Sequence, residues 1–544
     1  MPPVVARVLL TRGLATAADV ARFLNPSLSH LHDPSLLPDL DIGVDRLASA
    51  IESGEKICVH GDYDVDGVTS TALLVRTLRA LKADVDYRLP HRHRGGYDIK
   101  PASVEEIAAA GASLIVTCDC GITACRTVQR ASELGIDVVI TDHHEPGDVL
   151  PRAVAVIDPK RADASYPFPE LAGVGVAFKF AQGLVRKLGY DEERWQSRFV
   201  DLAALGTVGD VVPLLEENRS IVKHGLELMP RSKKVGLRTI LKRTNLIGKP
   251  LTAYYLGYVL GPRINAVGRM DDPLTALELF LTRDEAHARA LTEVMEAANA
   301  ERRAEQERIL AEAMKQVESK HLPTTRALVL SREGWNSGVI GIVAGKISDA
   351  YGRPTVLISR DEAAGIGHGS ARSGGTFNLI EGLRSCDEYL ERYGGHALAA
   401  GLSLRLDNLS AFEERLNAIA CEALTEEEIG PRLTVDAELA PEQITRELAD
   451  LVARMEPFGT GNPEPLFVIR RLAVLERQRV GDGSHLRMRL QGEGCPPIDC
   501  IAFGMGGLAE SMAIGQALDL CCNLRVNTFN GVSSVQLVAQ SIAV

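Results

Sequence analysis

The strongest chemical signal in the sequence is a cluster of carboxylates in one short stretch, His60-Gly-Asp62-Tyr-Asp64-Val-Asp66-Gly67. It follows a β-rich apolar run and opens a helical stretch, so it lies where a parallel α/β sheet binds ligands. Three carboxylates at alternate positions repel one another, and a divalent cation compensates them best. An EF-hand loop is excluded because Leu73 stands at the twelfth position. A solvated acidic turn is the alternative.

The pattern recurs at three later strand ends. Asp119 follows residues 113–118, Asp142-His143-His144 follows residues 136–141, and Asp158 follows residues 153–157. Chance acidic turns would not all fall on the same edge of one sheet. A mixed set of histidine and carboxylate favours Mn²⁺ over an all-oxygen Mg²⁺ site, and one shared carboxylate would give a two-metal centre. Asp158 is equally consistent with a turn residue before Pro159.

Alternating strands and helices from residue 56 predict an α/β fold with two α/β lobes, the first a Rossmann-like parallel sheet. Residues 284–319 contain neither Pro nor Gly, which predicts a long helix joining the lobes. The C-terminal part reads as short alternating strands and predicts a small β-barrel of OB type. The expected division is an N-terminal lead-in (1–50), a catalytic domain (51–283), the connecting helix (284–320), a substrate-binding domain (321–430) and the barrel (431–544).

Four motifs in this order, HGDYDVDG, TCDCGI, TDHHEP and VIDPK, resemble the successive motifs of the DHH phosphoesterase superfamily. Downstream, GHGSARSGG and GGHALAAG resemble its DHH-associated second domain. With GTVGDVVPL, GPRINAVGR and EPFGTGNPEP, the whole resembles the single-strand-specific 5′→3′ exonucleases of that superfamily. The resemblance implies hydrolysis of single-stranded DNA in repair and recombination. It also implies two divalent ions, Mn²⁺ or Mg²⁺, and partners such as a single-strand DNA-binding protein and a helicase.

The resemblance also implies site residues. One ion would be held by His60, Asp64 and Asp119, and the second by Asp66, Asp119, His143 and Asp210, with Asp119 bridging. Asp62 and His144 would support the ligands or contact the reacting phosphate, His144 as a hydrogen-bond donor or as general acid. The expected catalytic set is Asp62, Asp64, Asp119, His143 and His144.

Candidate substrate contacts lie in several basic or glycine-rich stretches. Arg94 and Tyr97 belong to a basic loop after a strand of the first lobe. Residues 367–375 are a predicted glycine-rich loop in which Ser370 and Arg372 would bind phosphate. His396 is either a core histidine or a substrate contact. A predicted glycine-rich turn carries Arg263, Asn265 and Arg269.

Charge is segregated along the chain. Residues 228–270 contain nine Lys or Arg and no Asp or Glu, with Tyr254, Tyr255 and Tyr258 interleaved. Such a segment suits a phosphate backbone and stacked bases, although a solvated helix with core tyrosines is an equal alternative for the tyrosines. Arginines concentrated in residues 467–489 predict a basic barrel surface.

Composition sets outer bounds on function. The 544 residues carry a formal charge of −12, which argues weakly against a nucleic-acid partner. No apolar run reaches the length of a membrane span, and the 10 cysteines lack zinc-site spacing. We expect a cytoplasmic, monomeric protein without a membrane partner. Two other functions are consistent with the motifs: hydrolysis of short oligonucleotides or cyclic dinucleotides, and a non-catalytic DNA-binding scaffold.

Overall fold

A computed structural model of the chain describes residues 1–90, 98–430, 432–529 and 532–543. It contains two compact units, the first comprising residues 1–265, 273–292 and 434–544, and the second comprising residues 266–272 and 293–433. No helix among the described residues combines the length and apolarity that crossing a bilayer requires. The predicted α/β fold class is confirmed, as the following elements show.

The N-terminal segment is helical: α1 is Pro3–Thr11, α2 is Ala17–Leu24 and α3 is Leu40–Ser53. It is more than a lead-in, because Val5, Val8, Leu9 and Phe23 are buried in the same apolar cluster as the C-terminal strands. Helix α3 instead packs against the first sheet, where Gly43 leaves space for side chains of that sheet.

The first sheet is entirely parallel, with strand order β2-β1-β3-β4-β5. Its strands are β1 (Lys56–His60), β2 (Asp84–Arg88), β3 (Leu114–Cys118), β4 (Asp137–Thr141) and β5 (Ala155–Ile157). The crossover helices are α4 (Val65–Ala80), α5 (Pro101–Ala109) and α6 (Cys125–Glu133). The chain order reverses between β1 and β3, and such a switch point opens a crevice at the carboxyl edge of the sheet. Strand β3 is buried throughout, as a central parallel strand should be.

A helical region follows the sheet. Its elements are α7 (Gly173–Lys187), α8 (Glu192–Gly209), α9 (Glu216–Leu228), α10 (Val235–Arg243), α11 (Ala253–Tyr255), a π-turn (Leu256–Leu260), α12 (Gly261–Met270) and α13 (Leu274–Leu281). The glycine-rich turn predicted for Arg263, Asn265 and Arg269 is wrong, because all three lie on α12. Pro262 is tolerated in this helical run because the preceding π-turn bonds Gly261 N–H to Leu256 O and changes the local hydrogen-bond pattern. The predicted long helix is present as α14 (Glu285–Glu318).

The second sheet has the order β6-β7-β8-β10-β9 and is mixed. Its strands are β6 (Leu328–Glu333), β7 (Thr355–Asp361), β8 (Ile366–Arg372), β9 (Arg392–Gly395) and β10 (Ala399–Arg405), and its helices are α15 (Ile340–Tyr351), α16 (Leu379–Arg384) and α17 (Leu409–Ala423). Separate apolar clusters lie on its two faces.

The glycine-rich loop predicted from residue 367 is wrong for most of its length, because residues 367–372 belong to β8. Packing within the sheet requires glycine at two of these positions. A Cβ at Gly367 would lie 2.8 Å from Ile358, and a Cβ at Gly369 would lie 2.7 Å from Leu402. Only Ser373, Gly374 and Gly375 continue beyond the strand.

The C-terminal part contains β11 (Ala437–Leu439), α18 (Arg446–Ala453), β12 (Phe467–Val480), β13 (His485–Gln491), β14 (Ile498–Ala502), β15 (Ala517–Phe529) and β16 (Val532–Ala543). Strands β12-β13-β14-β16-β15 form a sheet that closes through a β12–β15 pairing. The result is the predicted five-stranded barrel, whose closure removes exposed sheet edges.

Candidate metal centre

Five carboxylates and two histidines converge at the carboxyl edge of the first sheet. Three groups have donor atoms within 4.8 Å of one another: Asp62 with Asp64 and Asp119; Asp66 with His143 and Asp210; and Asp119 with His143 and His144. The loops after β1, β3 and β4, the first turn of α4 and the end of α8 supply these side chains. Asp119 and His143 each occur in two groups, so the three groups form one continuous centre.

Local backbone geometry holds the first loop in place. Asp64 caps α4, since its Oδ1 accepts from Asp66 N–H at 2.9 Å and from Gly67 N–H at 3.1 Å. Gly67 is required there, because a Cβ would lie 2.5 Å from the backbone nitrogen of Asp62. The carboxylate of Asp64 is therefore oriented by the helix it begins.

Asp66, in the first turn of α4, is fully buried against the start of α7. Its Oδ2 accepts from Gly173 N–H and its Oδ1 from Val174 N–H, both at 2.7 Å. These amides are at a helix N-terminus, where an anion is favoured. Gly173 is not among the predicted site residues, although its backbone lies close to both Asp66 and Asp119.

Asp119 has a left-handed backbone conformation, with φ of 59°. Its Oδ1 lies 3.1 Å from His143 Nε2, and the same nitrogen lies 3.6 Å from Asp210 Oδ2 and 3.9 Å from Asp66 Oδ2. One imidazole nitrogen thus faces three carboxylates, an arrangement suited to a shared cation.

The protein environment destabilises the charged forms of these groups. Burial and neighbouring carboxylates raise the pKa of Asp62, Asp119 and Asp210 well above the usual range. Burial and Asp64 raise the pKa of Asp66 to about 7. Burial, reinforced by His144, lowers the pKa of His143 to about 3, so its imidazole is neutral and able to bind metal.

His144 behaves in the opposite way. Burial lowers its pKa, but a hydrogen bond and charge interaction with Asp142, followed by Asp210 and Asp66, outweigh burial and raise it to about 9. The Nδ1 atom of His144 lies 2.7 Å from Asp142 Oδ1. Asp142 also accepts from the backbone N–H of Ile122 at 2.9 Å, so the carboxylate that orients His144 is itself fixed.

The chemistry of the donor set fits divalent cations. The buried Oδ1 of Asp62 has no hydrogen-bond partner among the described residues, and several acids crowd a space with few cationic side chains. A buried carboxylate oxygen without a partner is costly unless a cation compensates it. Asp158 is also buried and accepts from Lys160 N–H at 2.7 Å, but it belongs to none of the three groups.

His60 is placed differently from Asp62. It ends β1, is buried, and its Nδ1 lies 3.9 Å from Cys120 Sγ. Within the described part of the chain, His60 is not in a group of three donors within 4.8 Å, whereas Asp62 is. Burial lowers the pKa of His60 to about 4, so it is neutral.

The predicted substrate contacts are distributed over both units. Arg94 and Tyr97 lie outside the described residues. Asn265 Oδ1 accepts from Val65 N–H at 3.0 Å, which links α12 to the start of α4 within the first unit. Arg263 donates to Val259 O on its own helical run at 2.7 Å.

In the second unit, Arg269 donates to Gly338 O at 2.5 Å. Ser370 and Arg372 lie at alternate positions of β8 and hydrogen-bond each other at 3.2 Å. A Cβ on Gly341, near the start of α15, would lie 2.7 Å from Ser370 Oγ and 3.0 Å from Arg372 Nη2. His396 is exposed in the β9–β10 turn and is not a core histidine.

A groove of about 1090 Å³ in the first unit is lined by Gly209 and Val211, the residues on either side of Asp210. Tyr254, Tyr258, Phe503 and Arg525 line it further along. Tyr254 and Tyr258 are 61% and 70% exposed, and their rings stack with centroids 5.0 Å apart. These two tyrosines are therefore not core residues.

The barrel is less basic than residues 467–489 alone predict. Acids pair with the arginines of that stretch: Arg470 with Glu438 and Asp519, Arg479 with Glu510, Arg487 with Asp499, and Arg489 with Glu476. All of these acids except Glu476 lie outside the stretch, so the local sequence could not show that they would pair with its arginines.

Three parts of the chain match known domain families, and these families indicate the class of protein. Residues 56–207 match the DHH family N-terminal domain, residues 324–422 the DHHA1 domain and residues 435–541 the RecJ OB domain. Together with the clustered aspartates and histidines, these domains define a metal-dependent phosphoesterase of the DHH class.

Similarity to whole proteins is more specific. The chain is 38% identical to the single-stranded-DNA-specific exonuclease RecJ of Bacillus subtilis over 543 residues, covering 100% of this chain and 68% of that protein. It is 34% identical to RecJ of Escherichia coli over 562 residues, covering 100% and 96%. The crystal structure of Thermus thermophilus RecJ in complex with Mn²⁺ matches with a TM-score of 0.83 at 33% identity, covering 99% of this chain and 76% of that one. The chain belongs to the RecJ family of single-stranded-DNA-specific exonucleases.

Proposed function

We propose that this chain is an exodeoxyribonuclease that degrades single-stranded DNA from the 5′ end with two divalent ions, acting in DNA repair and recombination in the cytoplasm. The observation that carries the proposal is the convergence of five carboxylates and two histidines on one sheet edge. The Thermus relative has been crystallised with Mn²⁺ and with Mg²⁺, and both ions suit such ligands.

For the ligands, we propose His60, Asp64 and Asp119 at one ion and Asp66, Asp119, His143 and Asp210 at the other. The proximity of Asp66, His143 and Asp210 supports the second set, and the place of Asp119 in two donor groups supports its bridging role. Asp62 is a competing ligand for the first ion, because its carboxylate lies with Asp64 and Asp119. Bound divalent ions would lower the pKa of water near neutrality and offset charge on the phosphate.

The chain's own residues would orient the substrate and move protons. Without metal, the hydrogen bond to Asp142 outweighs burial and raises the pKa of His144 to about 9. A protonated His144 would donate a hydrogen bond to a phosphate oxygen or a proton to the leaving 3′ oxygen. Asp142 fixes the orientation of that ring, as an aspartate does for a catalytic histidine in other hydrolases.

The substrate strand would follow the groove beside Asp210. Exposed Tyr254 and Tyr258 offer ring faces to bases, and Arg525 offers a cation to the backbone. Ser370 and Arg372 are proposed to bind the 5′ phosphate, supported by their position beside the start of α15. Arg263, Asn265, Arg269 and His396, with Arg94 and Tyr97, complete the proposed substrate contacts.

End-labelled DNA tests the activity directly. We expect single strands to be shortened from the 5′ end with Mn²⁺, whereas duplex DNA, a labelled dinucleotide and chelated reactions stay intact. Preferential hydrolysis of the dinucleotide would instead favour the short-oligonucleotide function, and absence of any hydrolysis would favour a binding scaffold.

Single substitutions test the ligand assignment. Asp64→Ala and His143→Ala should each abolish hydrolysis and weaken Mn²⁺ binding in calorimetry, while strand affinity measured with Ca²⁺ changes little. Asp148→Ala, an exposed aspartate in the loop after β4, is the matched control and should retain both properties. Undiminished turnover in both ligand variants would refute the assignment.

We also propose the five-part division of the chain at residues 50, 283, 320 and 430, a monomeric state, and association with a single-strand DNA-binding protein and a helicase. The family models matched at residues 56–207, 324–422 and 435–541 support the division. Light scattering of the purified chain would test the monomeric state.

A further inference from the structure

Helix α8, which presents Asp210 to the metal centre, ends in an unusual backbone conformation. Asp210 is the C-terminal cap of the helix, with φ of −79°, and the next residue, Val211, has φ of 66°. The N–H of Val211 donates to Val208 O at 3.3 Å. A β-branched side chain in the left-handed region is crowded by its own backbone, so this conformation is costly for valine.

Other helices of the first unit show which residues normally occupy this position. In α5, α6 and α7 the residue after the cap is also left-handed, and each time it is glycine: Gly111, Gly135 and Gly189. After α4 and α10 it is Lys82 and Asn245, which are not β-branched. Among the residues that the structure describes, Val211 is the only β-branched one with a positive φ. The strain is therefore specific to the helix end at the metal centre.

Packing within the protein does not offset this strain. Val211 is 66% exposed, so most of its apolar side chain faces solvent rather than a core. Glycine at this position would remove both the strain and the exposed apolar surface. Strained residues of this kind cluster at active sites and ligand clamps. The side chain of Val211 is thus better explained by contact with a ligand than by folding.

Val211 lies where the groove meets the metal centre. It lines the groove of about 1090 Å³ and directly follows Asp210, whose donor atom lies within 4.8 Å of those of Asp66 and His143. Consecutive Cα atoms are about 3.8 Å apart. A side chain that close to a metal-ligating residue reaches the sugar next to a phosphate bound at the centre.

The chemistry of the side chain decides which part of a nucleotide it suits. An isopropyl group cannot hydrogen-bond a phosphate and offers no aromatic face to a base, whereas Tyr254 and Tyr258 of the same groove do offer such faces. The hydrocarbon face of the sugar remains. In deoxyribose, C2′ is a methylene. In ribose it carries a hydroxyl, which would lose water against valine without gaining a hydrogen bond.

We propose that Val211 is a specificity-determining residue that packs against the C2′ methylene of the deoxyribose beside the phosphate at the metal centre and thereby favours DNA over RNA. The inference rests on the proposed nuclease function and assigns one part of its substrate selection to this residue. Because Asp210 and Val211 are consecutive, the end of α8 positions a metal ligand and the sugar contact together.

Hydrolysis of single-stranded DNA and RNA of the same sequence by the full chain with Mn²⁺ tests the proposal. Val211→Thr keeps the size and the β-branch but supplies a hydroxyl that can bond the 2′-hydroxyl of RNA. The ratio of kcat/KM for DNA to kcat/KM for RNA should fall about tenfold or more. Val211→Gly removes the contact, so it should raise KM for DNA and lower the same ratio. Its midpoint of urea unfolding should not fall, because relief of the strain offsets the added freedom of the unfolded chain.

Asn245→Gly is the matched control, since Asn245 is an exposed left-handed residue after α10 and does not line the groove. It should keep the wild-type ratio. Mn²⁺ affinity measured by calorimetry should be unchanged in both Val211 variants, and lowered affinity in both would overturn the proposal, because the residue would then act through Asp210.

The remaining outcomes separate this inference from the function on which it rests. If wild type hydrolyses DNA but its DNA-to-RNA ratio is near one, or if the ratio is unchanged in both Val211 variants, the inference alone is overturned. If wild type does not hydrolyse DNA, the proposed function is overturned and the inference with it.

Discussion

At the scale of single residues, Gly173 sets how closely the chain can pass the carboxylates. A Cβ there would lie 2.7 Å from the Cβ and Oδ1 of Asp119, and the Gly173 amide itself binds Asp66. We expect Gly173→Ala to displace Asp119 and lower kcat/KM about 10²-fold, the cost of a small misplacement in a catalytic site. Gly175→Ala, on the same helix and with side-chain atoms of Leu171 as its nearest neighbours, is the control. Full activity in Gly173→Ala would show that Asp119 need not be fixed there.

The raised carboxyl pKa values predict a pH-dependent metal affinity. Without metal, burial and neighbouring carboxylates raise the pKa of Asp66 to about 7 and raise the pKa of Asp62, Asp119 and Asp210 well above the usual range, so protons compete with metal for these oxygens. Metal must displace these protons, and Mn²⁺ affinity should therefore rise from about pH 6 to about pH 8, with proton release. Calorimetry in buffers of different ionisation enthalpy measures both. Affinity that is constant over this range would contradict the prediction.

The residues that converge at the centre could be predicted from the sequence, whereas the geometry of each side chain could not. Asp64, Asp66, Asp119 and His143 each follow a strand, so the parallel sheet brings them together. The relative positions of His60 and Asp62 could not be predicted, because side-chain direction is regular only within the strand and Asp62 lies beyond it. The role of Gly173 depends on how α7 approaches the sheet, which no local spacing encodes.

At the scale of elements, Asn265 joins two helices. Its Oδ1 accepts from Val65 N–H, the first amide of α4. Asn265→Ala should lower the free energy of unfolding by about 1 kcal/mol, the usual value of a helix-capping hydrogen bond. It should also weaken Mn²⁺ binding, because α4 positions Asp64 and Asp66. Urea denaturation and calorimetry measure the two effects. A raised KM for DNA with unchanged stability and metal affinity would show that Asn265 acts only on the substrate.

Glycine-rich stretches were the least predictable elements. GHGSARSGG and GPRINAVGR contain residues typical of turns, yet one forms most of a strand and the other a helix. In the first, contact with Ile358 and Leu402 excludes side chains at alternate positions. In the second, the π-turn accommodates Pro262. The first cause is packing against residues distant in the sequence, and the second is an unusual hydrogen-bond pattern, so neither could be predicted locally. The five strands of the first sheet, by contrast, follow from local periodicity.

At the scale of the whole molecule, the formal charge of −12 says little about the substrate. The groove beside Asp210, with its exposed Tyr254 and Tyr258, is a local feature that net charge does not describe. Removing both exposed rings in Tyr254→Ala/Tyr258→Ala should cost about 1–3 kcal/mol of single-strand affinity per stacked base. Mn²⁺ affinity should not change. Tyr190→Ala, an exposed tyrosine of the first unit that does not line the groove, is the control for anisotropy with labelled DNA. Equal strand affinity in the double variant and wild type would exclude the groove as the path.

The burial of α1 within the barrel cluster has a consequence for biogenesis. Val5, Val8 and Leu9 share a core with strands that follow them by more than four hundred positions, and Arg219 joins Phe23 O to the backbone at Glu456 and Pro457. During synthesis on the ribosome, the apolar face of α1 therefore stays exposed to solvent until the barrel strands have been made. Nascent chains of this protein should accordingly depend on a holding chaperone for longer than chains whose ends fold independently.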